Sequence, residues 1–450
     1  MAAVTAWMAI WWFTEATHLA VTSLLPIVLF PLLGILDSKT TATQYMDPII
    51  FLFIGGFMIA FAIERWELHK RFALKILTIV GTSPSRILFG VMLTSYLISM
   101  WISNTATVMM LISAVLAIVY QIEKYFTHEH QAKQAATALL IGLAYSSTIG
   151  GMATLVGTPT NMIFYREYST HFTNNDLNFF SWFAIAFPIS LAFLFIAYWV
   201  LKKMFIHKST VLTIEKDYFK KTYNQLGKMS FEEKAVASIF CSTAILWFTR
   251  ADIDFGIIQI NGWNNLFPNK EFISDSTVAI FMAVLLFMIP SKTEKGNSLL
   301  MWDDAKKLPF DIILLFGGGF ALAKGFDESG LSKWLALQLH FTEGTHILLI
   351  IFLLCALIVL ISEFASNVAC IQLMLPILIA LLPILKVHPL VLLIPATLAS
   401  SLGFMLPVAT APNTIVFGSN KIRVKDMLKA GFVLDVVGII LITIAMYFFL

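Results

Sequence analysis

The chain has 450 residues, 58% of them hydrophobic and only 13% charged, with a mean hydropathy of +0.83. Soluble domains keep roughly a quarter of their residues charged, so about half that share along the whole length excludes a soluble protein and predicts a polytopic membrane protein. The net charge of +3 is small and the basic residues sit between apolar segments, which argues for membrane topology and against nucleic-acid binding.

In chain order, apolar segments are predicted at about 4–18, 19–36, 48–63, 86–119, 134–165, 179–204, 233–250, 273–290, 308–326, 345–385, 389–419 and 427–450. The first has neither a basic n-region nor a small-residue cleavage site, so no signal peptide is read. Glu15 and His18 fall in a short turn between the first two segments. A crossing helix needs about 20 residues, so 86–119 and 345–385 are long enough for two crossings or for a hairpin that enters and leaves on one side. Each carries a Ser-Asn pair near its middle, Ser103-Asn104 and Ser366-Asn367. Irregular polar backbone at membrane depth is tolerated only where protein or a cavity lines it, which favours re-entrant hairpins with polar tips. The segments that follow are interrupted at Gly157-Thr158-Pro159-Thr160-Asn161 and Ala409-Thr410-Ala411-Pro412-Asn413. Proline there removes a donor and breaks the helix.

The polar stretches 202–234, 64–86 and 250–274 read as loops. Cys241, Cys355 and Cys370 lie in apolar segments without metal-ligand spacing and read as small core side chains. Gly317-Gly318-Gly319 echoes Gly55-Gly56 and reads as close helix packing. No Walker A loop and no His-Glu-x-x-His pattern occurs, so neither ATP hydrolysis nor membrane-embedded enzyme chemistry is expected. A channel remains the alternative from another class, although paired broken-helix sites suit occlusion better than open conduction.

The two halves repeat. An offset of 263 carries Asn104 onto Asn367, Ser99 onto Ser362, Phe53-x-Gly55-Gly56-Phe57 onto Phe316-x-Gly318-Gly319-Phe320, and Lys70 and Ala73 onto Lys333 and Ala336. Trp12-Phe13-Thr14 recurs as Trp247-Phe248-Thr249. Loop 202–234 carries eight Lys/Arg against four Asp/Glu, loop 64–86 five against two and loop 420–429 four against one, which puts these loops inside. The acidic loops 37–48, 165–178 and 250–275 then lie outside. An odd number of crossings separates Phe53 from Phe316, so the second copy is expected to be inverted. Inverted repeats with broken helices at membrane depth mark a secondary transporter's binding site. Short Ser and Asn oxygens suit a hard cation such as sodium, Asn and Thr donors suit a carboxylate, and neither motif contains Lys or Arg. Glu363, four residues before Asn367, reads as functional by default in a membrane span or as a residue near an interface.

The stretches 102–107 (ISNTAT), 144–161, 363–369 (EFASNVA) and 404–417 resemble the divalent anion/sodium symporter family, and the resemblance runs from about Trp7 to the end. It implies an all-α inverted-repeat transporter with two re-entrant hairpins and two broken helices. It also implies a homodimer in the cytoplasmic membrane and elevator-type movement of a transport domain against a scaffold. The expected organisation is one unit over 1–450, with repeat one about 5–204 and repeat two about 233–450, joined by a cytoplasmic loop 205–232. By the same resemblance, one sodium ion would meet Ser99, Ser103, Asn104 and carbonyls around Gly157. A second would meet Ser362, Ala365, Asn367 and carbonyls around Ala409. Substrate would bind at Ser103, Asn104, Thr105, Ser366, Asn367 and Val368, with Thr158 and Thr410. Val368 stands where many bacterial members carry Thr, which reads as a change of specificity. Relative to the family pattern the chain starts one helix later, an arrangement that predicts an even number of spans with both termini outside. The implied activity is sodium-coupled symport of C4-type dicarboxylates (succinate, malate, fumarate) with no organic cofactor. The alternatives are a cation-independent dicarboxylate exchanger and a sodium/sulfate symporter of the same fold.

Overall fold

A computed structural model describes residues 1–125, 129–172, 177–206, 218–254, 259–332, 334 and 346–448. Its first half holds α1 (Ala2–Thr14), α2 (Leu19–Thr22), α3 (Leu25–Leu32), α4 (Ser38–Thr43), α5 (Pro48–Arg65), α6 (Leu68–Val80), α7 (Pro84–Ser99), α8 (Asn104–Tyr125), α9 (Glu129–Gly151), α10 (Pro159–His171) and α11 (Phe179–Phe205). Beyond it come α12 (Tyr218–Gln225), α13 (Phe231–Thr249), α14 (Asp275–Met288), α15 (Trp302–Ala305), α16 (Phe310–Glu328), α17 (Ile347–Phe364), α18 (Asn367–Leu385), α19 (Pro389–Ser400), α20 (Ala411–Phe417) and α21 (Val424–Tyr447). Among the described residues the one sheet is a two-residue antiparallel pair, β1 (Ile253–Asp254) and β2 (Gln259–Ile260), with Ile253 opposite Ile260.

The apolar segments become helices because their carbonyls and amides have no other partner in hydrocarbon. Among the described residues, six stretches are long and apolar enough to cross a membrane: Ser38–Arg65, Asn104–Glu123, Phe179–Phe205, Ile347–Phe364, Asn367–Leu385 and Val424–Tyr447. Their starts are set by caps. Asp47 accepts from Ile49 N at 3.0 Å ahead of Pro48, and Asn178 and Ser181 form a reciprocal capping box at α11. Glu15 adopts a left-handed conformation and His18 caps α2, so the turn expected there is present.

Four expectations need correction. The stretch 64–86 is not a plain loop but contains α6, and 202–234 contains α12; residues 207–217 lie outside the described residues. Charge-rich windows hid these helices because each is amphipathic, with polar side chains along one face. Arg71 of α6 pairs with Glu233 at 2.6 Å and donates to Gly227 O at 2.9 Å, which seats α6 against the start of α13. The stretch 250–274 holds the strand pair and short 3-10 turns. Cys241 is exposed on α13, whereas Cys355 and Cys370 are buried as expected.

Of the repeated glycines, Gly55 and Gly318 are packing positions, whereas a Cβ on Gly56 would meet open space. A Cβ on Gly318 would lie 2.6 Å from Ser23 Cβ, and one on its counterpart Gly55 would lie 2.6 Å from Ala279 Cβ. The counterparts Phe53 and Phe316 touch each other, edge to face, with ring centroids 5.2 Å apart. Lys333 and Ala336, the last pair of the repeat, lie outside the described residues. Near the end of the second half of the broken helix, buried Arg166 of α10 contacts Glu167 (2.6 Å), Asp47 (3.3 Å) and Gln44 Oε1 (2.5 Å), and its guanidinium lies 4.5 Å over the Phe320 ring. This network ties α10 to the start of α5 and to α16.

Candidate functional site

The first Ser-Asn pair lies where α7 ends at Ser99 and α8 begins at Asn104; the second lies where α17 ends at Phe364 and α18 begins at Asn367. In each copy the serine ahead of the Asn caps the new helix through its carbonyl: Ser103 O accepts from Thr107 N and Ser366 O from Cys370 N, both at 2.9 Å. The Asn side chain then folds back. Ser99 Oγ donates to Asn104 Oδ1 at 2.8 Å, and Ser362 Oγ shares its one proton between Asn367 Oδ1 and Ser400 O, each at 2.7 Å. The same bond, between the same repeat positions, is therefore made twice. Ser99 and Ser362 are fully buried, while Ser103, Asn104, Thr105, Ser366, Asn367 and Val368 are all half-buried.

The two interrupted helices repeat as closely, with an offset of 252 carrying Asn161 onto Asn413. Between α9 and α10, Asn161 Nδ2 donates to Gly151 O (3.0 Å) and Thr154 O (2.7 Å), ten and seven residues back. Between α19 and α20, Asn413 Nδ2 donates to Gly403 O (2.9 Å) and Leu406 O (3.0 Å), again ten and seven residues back. Thr158 and Thr410 are the N-caps of α10 and α20, both in extended conformation, and Thr410 Oγ1 accepts from Asn413 N at 3.4 Å.

Each hairpin tip meets the break of its own repeat. A Cβ on Gly151 would collide with Asn104 Oδ1, and one on Gly157 would sit 2.5 Å from Gly151 O, so Asn104, Gly151 and Gly157 share one point. In the second repeat Gly403 is the meeting point: its Cβ position is 3.5 Å from Ser362 O, Ala409 Cβ and Thr410 Cγ2. Thr154 Oγ1 donates to Met100 O, joining the first hairpin to the first break. At the matching place in the second repeat, Glu363 takes over with its carboxylate, accepting from Met405 N (2.8 Å) and Leu406 N (3.0 Å). Glu363 is fully buried. The two breaks also touch, through Thr160 Oγ1 and Ser401 Oγ at 3.3 Å.

The geometry thus gathers Ser99, Asn104 and Gly157 in one cluster and Ser362, Asn367, Ala409 and Thr410 in another. Ala365, the buried C-cap of α17, adjoins the second cluster in sequence. Sequence reasoning gave no role to Asn161, Asn413 or the Glu363 contact with the second break. A second buried carboxylate, Asp435 of α21, neighbours Glu363 and was also missed; an Asp inside an apolar span was the signal available. Hydroxyl, carboxamide and peptide carbonyl oxygens are the donors a hard cation takes, and helix N-termini favour an anion. A cavity of about 520 Å³ lies elsewhere, between Glu123, Lys133, Lys421 and Arg423, and contains no residue of either tip.

Comparison with known proteins follows the same lines. The family described as the sodium:sulfate symporter transmembrane region matches residues 1–449. The sodium-dependent dicarboxylate transporters SdcS of Staphylococcus saprophyticus and of Staphylococcus aureus are each 40% identical over 451 residues, covering 99% of this chain and 85% of the relative. Two solved structures share the fold at low identity. Neisseria gonorrhoeae MtrF, from a class of antimetabolite efflux pumps, matches with a TM-score of 0.61 at 11% identity, over 97% of this chain and 96% of its own. The Alcanivorax borkumensis YdaH transporter matches with a TM-score of 0.57 at 12% identity, over 93% and 87%. The family match and the identity both run nearly the whole length, and on that ground the chain belongs to the sodium:sulfate symporter family.

Proposed function

We propose that this protein carries C4-type dicarboxylates such as succinate, malate and fumarate into the cell together with sodium. Membership of a symporter family makes it a multi-pass integral membrane transporter, not an enzyme. The observation that carries the proposal is the duplicated Ser–Asn hydrogen bond, each copy packed against a break built on the same ten- and seven-residue contacts. Two such clusters offer two cation sites, one of Ser99, Ser103, Asn104 and carbonyls around Gly157, the other of Ser362, Ala365, Asn367 and carbonyls around Ala409. The dicarboxylate lies between the tips, on Asn104, Thr105, Asn367, Thr158 and Thr410, with Ser103, Ser366 and Val368 shaping the pocket. The name of the 40% identical SdcS transporters supports both sodium and a dicarboxylate.

Electrostatics supports the coupling. A dianion entering alone works against an inside-negative potential by about 4.6 kcal/mol at 100 mV, twice the roughly 2.3 per charge. Neither tip nor either break contains Lys or Arg to offset that charge, so the cotransported cations do. Two sodium ions cancel a dianion, and a third lets the membrane potential assist. In this reading the repeats, about 5–204 and 233–450, are inverted and joined by the cytoplasmic loop 205–232. The contact of the counterparts Phe53 and Phe316 supports a twofold relation, since equivalent residues meet only near the axis. The tips and breaks move together as the transport domain of an elevator, in a homodimer whose scaffolds stay fixed.

Uptake of radiolabelled succinate into proteoliposomes tests the proposal. Sodium outside should drive concentrative uptake, and an inside-negative potential should speed it if three or more ions accompany each dianion. Equal uptake in sodium, potassium or choline, with an absolute need for dicarboxylate on the far side, would establish an exchanger instead. Sulfate enters as a competitor because the family carries its name; sulfate outcompeting succinate would move the substrate class.

A further inference from the structure

Asn161 and Asn413 are used in the same way in both repeats, and only half of each side chain is used. Each is fully buried, and each Nδ2 is spent on carbonyls across the break: Gly151 O, Met152 O (3.4 Å) and Thr154 O for Asn161, Gly403 O and Leu406 O for Asn413. Because those neighbours are acceptors, the amide nitrogen must face them, which fixes the orientation of the carboxamide. The other atom, Oδ1, is then buried in both residues with no protein partner. A buried oxygen left unpaired is destabilising, and here the same atom is left unpaired at both repeat positions. Gly151 and Gly403, whose carbonyls the two side chains hold, are also the residues at which each break meets Asn104 or Ser362 and Ala409.

We propose that Asn161 and Asn413 are positioning residues for the two cation sites. Each amide nitrogen holds its break-loop carbonyls in place beside the hairpin tip, and each free Oδ1 accepts from the water that accompanies a bound sodium ion. The inference rests on the sodium-coupled reading given above. It assigns one positioning residue to each site, so each substitution acts on one ion.

Sodium-activation curves for succinate uptake in proteoliposomes test it, with Asn161→Ser and Asn413→Ser compared with the unchanged protein. Loss of a group that orients metal ligands costs about 10- to 100-fold in metal affinity. Each variant should therefore need about tenfold or more sodium for half-maximal uptake and show an altered sodium-over-lithium preference. Its succinate KM at saturating sodium should stay near that of the unchanged protein, while its melting temperature in choline drops because buried break-loop carbonyls lose their donor. Variants that fold and keep the original sodium curve and ion preference overturn the proposal. If both serine variants fail to fold, hydrogen exchange of the unchanged protein decides. Sodium alone, without succinate, should protect the amides of residues 152–158 and 402–410, and no protection of either loop overturns the inference. Absence of sodium stimulation in the unchanged protein would refute the transport reading itself; stimulation without loop protection refutes only the role of the two asparagines.

Discussion

Gly151→Ala puts the site geometry under direct strain. Gly151 is the last residue of α9, and a methyl group there collides with Asn104 Oδ1 and lies 3.1 Å from both Cγ and Nδ2. The Asn104 side chain is short and held by Ser99, so it cannot swing away without giving up that hydrogen bond. Losing the bond costs about 0.5–1.5 kcal/mol, and overpacking a close contact costs about 1–3 kcal/mol. Alanine at a helical position returns about 0.4–1 kcal/mol. At the midpoints of these ranges the net burden is about 2 kcal/mol; it falls on the conformation in which Asn104 Oδ1 keeps its Ser99 contact, and corresponds to a factor on the order of 30 in affinity. Half-maximal sodium should rise by that factor in proteoliposome uptake, while the melting temperature barely moves. The repeat supplies its own control. At Gly403 the added methyl meets Ser362 O, Ala409 Cβ and Thr410 Cγ2 at 3.5 Å, an ordinary contact, so Gly403→Ala should shift sodium dependence by less than about twofold. An unchanged sodium curve for Gly151→Ala, or an equal shift for Gly403→Ala, would refute the reasoning.

Three further outcomes follow from the same contacts. Asn104→Ala and Asn367→Ala should each abolish sodium-driven uptake in protein that still elutes as a folded species, and near-normal transport at low sodium and low succinate would remove these residues from the site. Val368→Thr restores the hydroxyl present at Thr105 in the other repeat; one added hydrogen bond is worth about 0.5–1.5 kcal/mol, so competition assays should show shifts of a few-fold to about tenfold among C4 and longer dicarboxylates, with sodium affinity unmoved. Arg166→Ala leaves Glu167 and Asp47 buried or half-buried without their cation, and loss of one partner of a buried ion pair costs about 3–5 kcal/mol; thermal melting in detergent should fall by several degrees, and an unshifted melt would show that the network is solvated.

Much of the architecture was legible in the chain because membrane helices are written in composition. Lipid offers no hydrogen bonds, so every crossing must be a long apolar run, and the predicted segments 179–204 and 427–450 correspond to Phe179–Phe205 and Val424–Tyr447. The breaks were legible for the opposite reason, since Pro159 and Pro412 cannot continue a helix. The amphipathic helices α6 and α12 were not, because a helix with one charged face has the charge content of a loop.

The sequence by itself determined that a set of residues recurs at fixed offsets in the two halves, where each half is interrupted, and which short polar residues stand at the interruptions. Only the tertiary structure decided how the interruptions meet. The hairpins repeat with an offset of 263 and the breaks with 252, so spacing along the chain does not say which tip faces which break. The fold pairs each tip with its own repeat's break, through Thr154 and Met100 in one copy and Glu363 with Met405 and Leu406 in the other. It also turned Asn161 and Asn413 into clamps on carbonyls ten and seven residues back. Such contacts have no helical or strand period, because they depend on the chain folding back across a gap in the helix, and a loop's path is set by what packs around it.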